Sequence, residues 1–286
     1  MKKQDPKKIN PKQKQSRPGV ESKMKPVPET EPQDFPKGKL HNKVVLITGG
    51  DSGIGKATAL LFAQEGALVS IAYLSEDNDA KTTREEIEAK GGKCYLIKGD
   101  LSREPHCKNV IAKTIRHFGK LDIVINNAAL HWEAESIEDI TTRQLLKTFH
   151  TDFFAYFWIV KYAVPHLKKG SCIINTTSVT AYRGSPKLID YSAAKGAIVS
   201  FTRSLAMNLI QKGIRVNGVA PGPIWTPLIV STFDSKKVSE FGSDVPMKRP
   251  GMPDEVAPCF LFLASEDSSY MNGQILHPNG GEIING

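Results

Sequence analysis

One stretch near the start of the chain decides the fold: VVLITGGDSGIG, residues 44–55. Its first four residues are apolar and mostly β-branched, which predicts a strand buried on both faces. Glycines follow: Gly49 can take the tight turn, Gly53 lets the backbone approach a pyrophosphate, and Gly55 lets the next helix pack closely on the sheet. The free N–H groups of a helix N-terminus suit phosphates. The stretch therefore predicts a dinucleotide-binding turn.

The same alternation of strand and helix continues along the chain. Apolar strand patterns occur at residues 44–47, 69–72, 94–98, 123–125, 171–175, 214–219 and 274–277, and helical patterns at residues 51–64, 79–90, 104–118, 142–167, 190–212 and 253–264. Apolar strands that alternate with helices predict a parallel sheet covered on both faces, with right-handed crossovers. We therefore expect an α/β fold with a doubly wound parallel sheet (a Rossmann fold) in a single domain, with ligands at the carboxyl ends of the strands.

The first 40 residues have a different composition. They contain 7 of the 18 prolines and few large apolar residues, so they cannot bury enough surface to offset the entropy lost on ordering. They hold 11 Lys and Arg against 5 Asp and Glu, whereas the other 246 residues hold 27 against 25. We expect residues 1–40 to be a disordered or loosely docked basic arm and residues 41–286 to be the folded domain. Because the domain is nearly neutral, nucleic-acid and membrane partners are not expected. The arm is expected to be a solubilising extension or a strap across a neighbouring subunit.

Cysteine use and hydropathy indicate the compartment. The four cysteines, at positions 94, 107, 172 and 259, are far apart and form no C-x-x-C pair, so neither a disulfide framework nor a zinc site is expected. No apolar run approaches the roughly 20 residues of a membrane helix, and the N-terminus has no apolar signal-peptide core. The sequence thus predicts a cytoplasmic protein without a metal site.

A Tyr–Lys pair at residues 191 and 195 is the candidate catalytic motif. Residues i and i+4 share a helix face, so the Tyr191 phenol and the Lys195 ammonium can point into one cleft. Because a neighbouring cation stabilises phenolate, we expect Lys195 to lower the pKa of Tyr191 and make it a general acid/base near neutrality. Ser178 follows the predicted strand at residues 171–175, where its hydroxyl can hydrogen-bond a substrate oxygen.

Seven motifs lie in collinear order along residues 40–286. They are TGGDSGIG at 48–55, Asp100-Leu101, Asn126-Asn127-Ala128-Ala129, Ser178, Tyr191 with Lys195, PGPIWT at 221–226, and Asn279-Gly280-Gly281. Together they resemble the short-chain dehydrogenase/reductase family. The arm and the stretches SFTRSLA, residues 200–206, and GSDVPMKRPG, residues 242–251, are similar to the bacterial general-stress subgroup.

The resemblance implies an NAD(P)-dependent oxidoreductase that moves hydride between a nicotinamide cofactor and a small-molecule carbonyl or alcohol. Tyr191 would be the general acid/base, Ser178 would orient the substrate oxygen, and Lys195 would bind the ribose as well as tune the tyrosine. Asn126 would help to hold the central strand. The implied cofactor contacts are Gly49, Asp51, Ser52, Gly53, Ile54, Gly55, Tyr73, Leu74, Asp100, Leu101, Asn127, Ala128, Ala129, Tyr191, Lys195, Pro221, Gly222, Ile224 and Thr226. A homo-oligomer, by resemblance a tetramer, is also implied, and the apolar helices at 142–167 and 190–212 favour it.

One residue departs from the family pattern. The family's fourth catalytic residue is an Asn, and Asp152 stands at that position in TFHTDFF, residues 148–154. Aspartate lacks the amide donor and, when ionised beside Lys195, could disturb proton transfer. An alternative function therefore stays open: a nucleotide-binding protein of this fold with weak or no turnover.

The adenosine end of the predicted site favours NAD over NADP. Tyr73 ends the second predicted strand, and the carboxylates of Glu76 and Asp77 just after it would repel a 2′-phosphate. Ser52 stands where relatives that prefer NADP often carry a basic residue. We expect the substrate pocket to be lined or covered by Trp132, Tyr182, Trp225 and residues 228–241. Such side chains suggest an apolar or aromatic carbonyl substrate.

Overall fold

The structure is a computed structural model that describes residues 13–14 and 36–283. A compact unit begins at Lys37. Within it, the Leu40 side chain is buried, and its N–H donates to the Glu65 carbonyl at 3.0 Å. Apart from residues 13–14 and 36–40, the predicted arm lies outside the described residues, and its character stays a prediction.

A parallel sheet forms the centre of this unit. Within the described part of the chain it has seven strands: β1 (Val44–Thr48), β2 (Leu68–Tyr73), β3 (Lys93–Lys98), β4 (Ile123–Asn126), β5 (Cys172–Thr176), β6 (Arg215–Val219) and β7 (Ile275–Leu276). Their order across the sheet is β3-β2-β1-β4-β5-β6-β7, and every pairing is parallel. The predicted doubly wound parallel sheet is confirmed.

Helices cover the sheet and extend beyond it. They are α1 (Gly53–Gln64), α2 (Asp77–Ala89), α3 (Glu104–Phe118), α4 (Thr142–Phe149), α5 (Ala155–Ala163), α6 (Thr180–Arg183), α7 (Ile189–Leu209), α8 (Pro227–Thr232), α9 (Ser235–Glu240) and α10 (Pro253–Ala264). Between residues 36 and 283, none of them combines the length and apolar character needed to cross a bilayer.

The core consists of two apolar layers, one on each face of the sheet. β1 shows how one strand serves both, because successive side chains of a strand point to opposite faces. Val44 and Leu46 belong to the layer that includes residues of α3, α5 and α7, while Val45 and Ile47 belong to the layer that includes residues of α1 and α10. A strand buried on both faces cannot show polar alternation, which is why its sequence is an unbroken apolar run.

The strand order places a crevice at the carboxyl end of β1. The chain leaves β1 towards β2 on one side, and β4 pairs with β1 on the other. Ligands of doubly wound sheets bind where the strand order reverses in this way. The glycine turn after β1 and the segment after β4 therefore form the two walls of one site.

Three features differ from the sequence-based expectation. The helix predicted over residues 142–167 is α4 and α5 joined by a π-helix over His150–Phe154, and it ends in a 3₁₀ turn over Val164–His166. The final strand is shorter than residues 274–277, because only Ile275 and Leu276 pair with β6. The helices α6, α8 and α9 were not predicted. Each has only four to six residues, which is too short to show a helical period.

Candidate functional site

A cleft of about 540 Å³ lies at the carboxyl ends of the strands. Every residue predicted to bind the cofactor or take part in catalysis lines this cleft, with the exceptions of Gly55 and Asp152. One end holds the glycine turn and the ends of β2 and β3. The other end holds Ser178, Tyr191 and the segment around α8. The lining of one cleft therefore includes both the glycine turn and the candidate catalytic side chains.

The glycine turn after β1 has the geometry of a phosphate site. Gly49 and Gly53 have φ angles of +61° and +53°, which favour glycine. A Cβ on Gly53 would lie 3.1 Å from Thr226 Cγ2, and a Cβ on Gly55 would lie 1.9 Å from the Gly49 carbonyl oxygen. The N-cap of α1, Ser52, makes no side-chain capping hydrogen bond. The first N–H groups of α1 are thus left for a ligand in the cleft, as a bound pyrophosphate requires.

Thr48 joins the two walls of the crevice, a role that the sequence did not reveal. Its Oγ1 accepts hydrogen bonds from the N–H groups of Asn127 at 2.9 Å and Ala128 at 3.1 Å. Asn127 Nδ2 donates to the carbonyl oxygens of Thr48 and Gly49, at 3.2 and 3.1 Å. The side chain of Asn127, predicted as a cofactor contact, therefore holds the glycine turn in place.

A second polar link binds the central strands, as expected for Asn126. Its Nδ2 donates to Asn175 Oδ1 on β5 at 2.9 Å, and Asn175 Nδ2 donates to Thr202 Oγ1 on α7 at 2.9 Å. All three side chains are buried. The link connects β4, β5 and α7, the elements that precede or carry the candidate catalytic residues.

The candidate catalytic side chains meet where β5 ends. Tyr191 and Lys195 lie one turn apart on α7, with Lys195 Nζ 5.4 Å from the centre of the Tyr191 ring. The fully buried Lys195 donates to the Thr176 carbonyl at 3.1 Å and lies 3.5 Å from Tyr156 Oη. Ser178 follows β5, and its Oγ accepts a hydrogen bond from the Thr180 N–H at 3.2 Å. The predicted spacing does bring the phenol, the ammonium and the hydroxyl to one cleft.

The pKa of Tyr191 moves in the direction opposite to the prediction. Burial raises it, the Asp152 carboxylate raises it further, and a hydrogen bond with Ser178 lowers it. Burial lowers the pKa of Lys195, and the Asp152 charge acts in the opposite direction. Tyr191 is therefore held in its protonated form.

Asp152 lies in the π-helix and interacts electrostatically with Lys195. One carboxylate oxygen accepts the Leu130 N–H at 2.9 Å, and the other is buried with no partner among residues 36–283. Burial raises the pKa of Asp152 to about 7, against the lowering effect of Lys195. Asp152 does not line the cleft, so its influence on a bound molecule passes through Lys195 and the backbone of Leu130.

Carboxylates surround the adenosine end of the cleft. The Tyr73 hydroxyl donates to Asp77 Oδ1 at 2.9 Å, and Lys98 pairs with the same carboxylate. Burial raises the pKa of Asp51, and the charges of Glu76 and Asp79 act in the same direction. The cleft lining at this end is therefore acidic, and Asp77 already engages Lys98.

The opposite end of the cleft differs from the predicted substrate pocket. Leu228, Ile229 and Ser231 from the predicted segment line it, but Trp132, Tyr182 and Trp225 do not. His131 lines this end instead, with its ring centre 4.9 Å from that of Tyr191 and 5.6 Å from that of Phe233. A single histidine six residues after a strand pattern carries no recognisable signal, which is why sequence reasoning missed it.

The segment that carries α8 and α9 is tied to the segment that follows β4. Lys237 Nζ contacts both carboxylate oxygens of Glu133, at 3.0 and 2.8 Å. The Thr232 hydroxyl donates to the His131 carbonyl at 3.4 Å. These contacts hold the segment that carries α8 and α9 against the residues that follow β4.

Comparison with known proteins identifies relatives over almost the whole chain. Residues 49–282 match a family model described as "Enoyl-(Acyl carrier protein) reductase". General stress protein 39 of Bacillus subtilis is 53% identical, with 96% of each chain covered. The glucose and ribitol dehydrogenase of Daucus carota is 50% identical, over 96% of this chain and 97% of the relative. The match to General stress protein 39 confirms the predicted similarity to the general-stress subgroup.

A solved structure gives the same result for the fold. The short-chain dehydrogenase from Burkholderia cenocepacia J2315, in complex with NADP, has a TM-score of 0.81 and 31% sequence identity. The alignment covers 85% of this chain and 99% of that one. Sequence, strand order and relatives agree, and this chain is an oxidoreductase that belongs to the short-chain dehydrogenase/reductase family.

Proposed function

We propose that this enzyme reduces a small-molecule carbonyl, or oxidises the corresponding alcohol, with Tyr191 as the general acid/base. The observation that carries the proposal is the meeting of Tyr191, Lys195 and Ser178 at one end of a cleft whose other end is the glycine turn. A dinucleotide that lies along such a cleft has its phosphates at the turn and its reactive ring near the tyrosine.

The residues of the cleft fit a nicotinamide dinucleotide. The N–H groups at the start of α1 and the space kept open at Gly53 suit a pyrophosphate. Asp100, Leu101 and Lys195 line the cleft, which supports the proposal that the first two would contact adenine and Lys195 the nicotinamide ribose. The chemistry supplied by a bound nicotinamide is hydride exchange with the substrate carbon.

The protein side chains handle the proton. Because burial keeps Tyr191 protonated, its hydroxyl is ready to donate a proton to a carbonyl oxygen during reduction. Ser178 hydrogen-bonds the same oxygen and so fixes its position. Lys195, held by the Thr176 carbonyl, stabilises the phenolate left on Tyr191 after the transfer. In oxidation the same groups act in reverse.

Tyr191→Phe tests this assignment. The substitution removes the proton donor and keeps the ring, so we expect kcat to fall by about 10²–10⁴-fold, the usual contribution of a general acid. Affinity for the cofactor should stay within about twofold of wild type, measured by calorimetry. Tyr182→Phe is the matched control, since its hydroxyl lies outside the cleft. Full activity of Tyr191→Phe with a substrate that wild type turns over would disprove the assignment.

A nucleotide-binding protein with weak turnover is a second candidate, and Asp152 favours it. One oxygen of the buried Asp152 carboxylate has no partner among residues 36–283, and this carboxylate attracts the Lys195 ammonium. It thereby competes with the Tyr191 phenolate for the positive charge of Lys195. Asp152→Asn decides between the two candidates. Under the leading proposal kcat stays near the wild-type value or rises slightly. Under the second, it rises from near zero by an order of magnitude or more.

We propose NAD as the preferred cofactor. The acidic lining formed by Asp51, Glu76 and Asp79 supports this choice, because it repels a 2′-phosphate. The structural neighbour that holds NADP supports the alternative. The four free cysteines support the predicted cytoplasmic location, where thiols stay reduced.

The relative named for glucose and ribitol supports a substrate with hydroxyl groups, rather than the apolar or aromatic carbonyl expected from the sequence. The absence of Trp132, Tyr182 and Trp225 from the cleft lining is consistent with that change. The proposed assembly is a homotetramer. Exposed apolar side chains on the helices around α5 and α7, which include Phe157 and Met207, support it.

A further inference from the structure

His131 is a buried polar group at the substrate end that the mechanism above does not use. It follows β4, and the preceding residue is fixed because the Leu130 N–H bonds to Asp152. Only 6% of the residue is exposed, and its ring lines the cleft edge-on to Tyr191, at 4.9 Å between ring centres. Phe233 packs on the same ring at 5.6 Å. The imidazole therefore has a defined position beside the proton donor.

The ring nitrogens of His131 lack protein partners. Nδ1 is buried without a hydrogen bond, and neither ring nitrogen bonds to any residue between 36 and 283. The Thr232 hydroxyl in this region donates to the His131 backbone carbonyl and not to the ring. Leaving such a group unsatisfied costs about 1–3 kcal/mol. Because His131 lines the cleft, a molecule bound there can supply the partner that the protein does not.

The charge state of the His131 ring limits which chemical groups it can bind. Burial lowers the pKa of His131 to about 4, and the Lys195 charge acts in the same direction, while Asp190 opposes it. The imidazole is therefore neutral at physiological pH, with one donor and one acceptor nitrogen. A neutral ring that can donate or accept suits a hydroxyl better than a carboxylate or an ammonium group.

We propose that His131 hydrogen-bonds a hydroxyl on the carbon next to the reacting carbon, and so selects 2-hydroxy carbonyl compounds and vicinal diols. The inference rests on the proposed function, because it takes Tyr191 as the group that contacts the reacting oxygen. The ring centres of His131 and Tyr191 are 4.9 Å apart and both residues line the cleft, so one small molecule can contact both side chains. His131 thereby sets specificity without taking part in proton transfer.

Matched pairs of aldehydes test the proposal. The pairs are glycolaldehyde with acetaldehyde, lactaldehyde with propanal, and 2-hydroxybutanal with butanal, each differing by one hydroxyl group. The readout is the ratio of kcat/KM within a pair. Wild type should favour the hydroxylated member by about tenfold or more, and His131→Phe should reduce that ratio by about tenfold, the loss of one hydrogen bond. His131→Gln, which keeps a donor and an acceptor, should retain most of the preference.

His277→Phe is the matched control. His277 also packs edge-on against a tyrosine, Tyr182, at 4.7 Å, and its Nδ1 is also buried without a partner, but neither residue lines the cleft. This variant should keep the wild-type ratio. A purely structural role for His131 would lower activity on both members of a pair equally.

The outcomes separate this inference from the proposed function. A ratio that is unchanged in His131→Phe, or a wild type that shows no preference for the hydroxylated aldehydes, overturns the role of His131 while reduction itself stands. No turnover of any of the six aldehydes by wild type, with NADH or NADPH, counts against both. In that case the Tyr191→Phe comparison loses its basis as well.

Discussion

Gly55→Ala is expected to distort the glycine turn that follows β1. An added Cβ would lie 1.9 Å from the Gly49 carbonyl oxygen and 2.8 Å from Asn127 Nδ2. Ordinary contacts of a Cβ are 3.4 Å or longer, and the group in the way at Gly49 is backbone, so the turn itself must move. Movement of the Gly49 carbonyl also disturbs the hydrogen bond that it accepts from Asn127.

The magnitude follows from three contributions. Overpacking of a tight site costs about 1–3 kcal/mol. Loss of one hydrogen bond from Asn127 costs about 1 kcal/mol. Alanine in place of glycine in a helix returns about 1 kcal/mol. We therefore expect Gly55→Ala to lower the free energy of unfolding by about 1–3 kcal/mol and to weaken cofactor binding at least tenfold, since the N–H groups at the start of α1 move with the turn.

Urea unfolding and calorimetric titration with NADH measure the two effects. Gly196→Ala serves as the control, because a Cβ on this glycine of α7 meets nothing within 4 Å. It should leave the stability unchanged or raise it by up to about 1 kcal/mol. A Gly55→Ala variant that is as stable as wild type and binds NADH equally well would refute the reasoning.

Three further predictions concern charge, cofactor and assembly. Burial raises the pKa of Asp152 from 3.8 to about 7, so the stability that its protonated form contributes is present below pH 4 and lost as the pH rises through 7. Between pH 4 and pH 8, the free energy of unfolding of Asp152→Asn, measured in urea, should rise by about 2–4 kcal/mol relative to that of wild type. Parallel pH profiles of the two proteins would contradict this. With wild type, kcat/KM for NADH should exceed that for NADPH by about tenfold, and the reverse order would exclude the role given to the acidic lining. Sedimentation should show a tetramer of the 31.4 kDa chain at micromolar concentration, and a monomer would rule out the proposed assembly.

The sheet was predictable because its strands are buried on both faces. The apolar runs at Val44–Ile47 and Ile123–Ile125 can form little else when helices follow them, and parallel pairing then fixes where ligands bind. The glycine spacing and the Tyr191–Lys195 pair predicted two parts of the cleft, and the resemblance to the family implied the other lining residues. Each of these patterns involves only a few neighbouring residues, so it can be recognised in the sequence without the structure.

The remaining features depend on contacts between distant residues. The π-helix around Asp152 has the same apolar composition as an α-helix, so periodicity could not separate them. The direction of the Tyr191 pKa depends on how deeply α7 packs and on the Asp152 charge. The proposed role of His131 depends on its contacts with Tyr191 and Phe233, which follow it by 60 and about 100 residues. No single window of sequence contains these relations.

The order of the strands determines when the site can form during synthesis. The glycine turn is made early, but Val45 pairs with Ile123, and Tyr191 is made later still. Until β4 leaves the ribosome, one edge of β1 stays open, and an open apolar edge is a site for chaperones or for aggregation. Such distant pairings also slow folding, because long loops must close first. The site is therefore complete only after Tyr191 has been made.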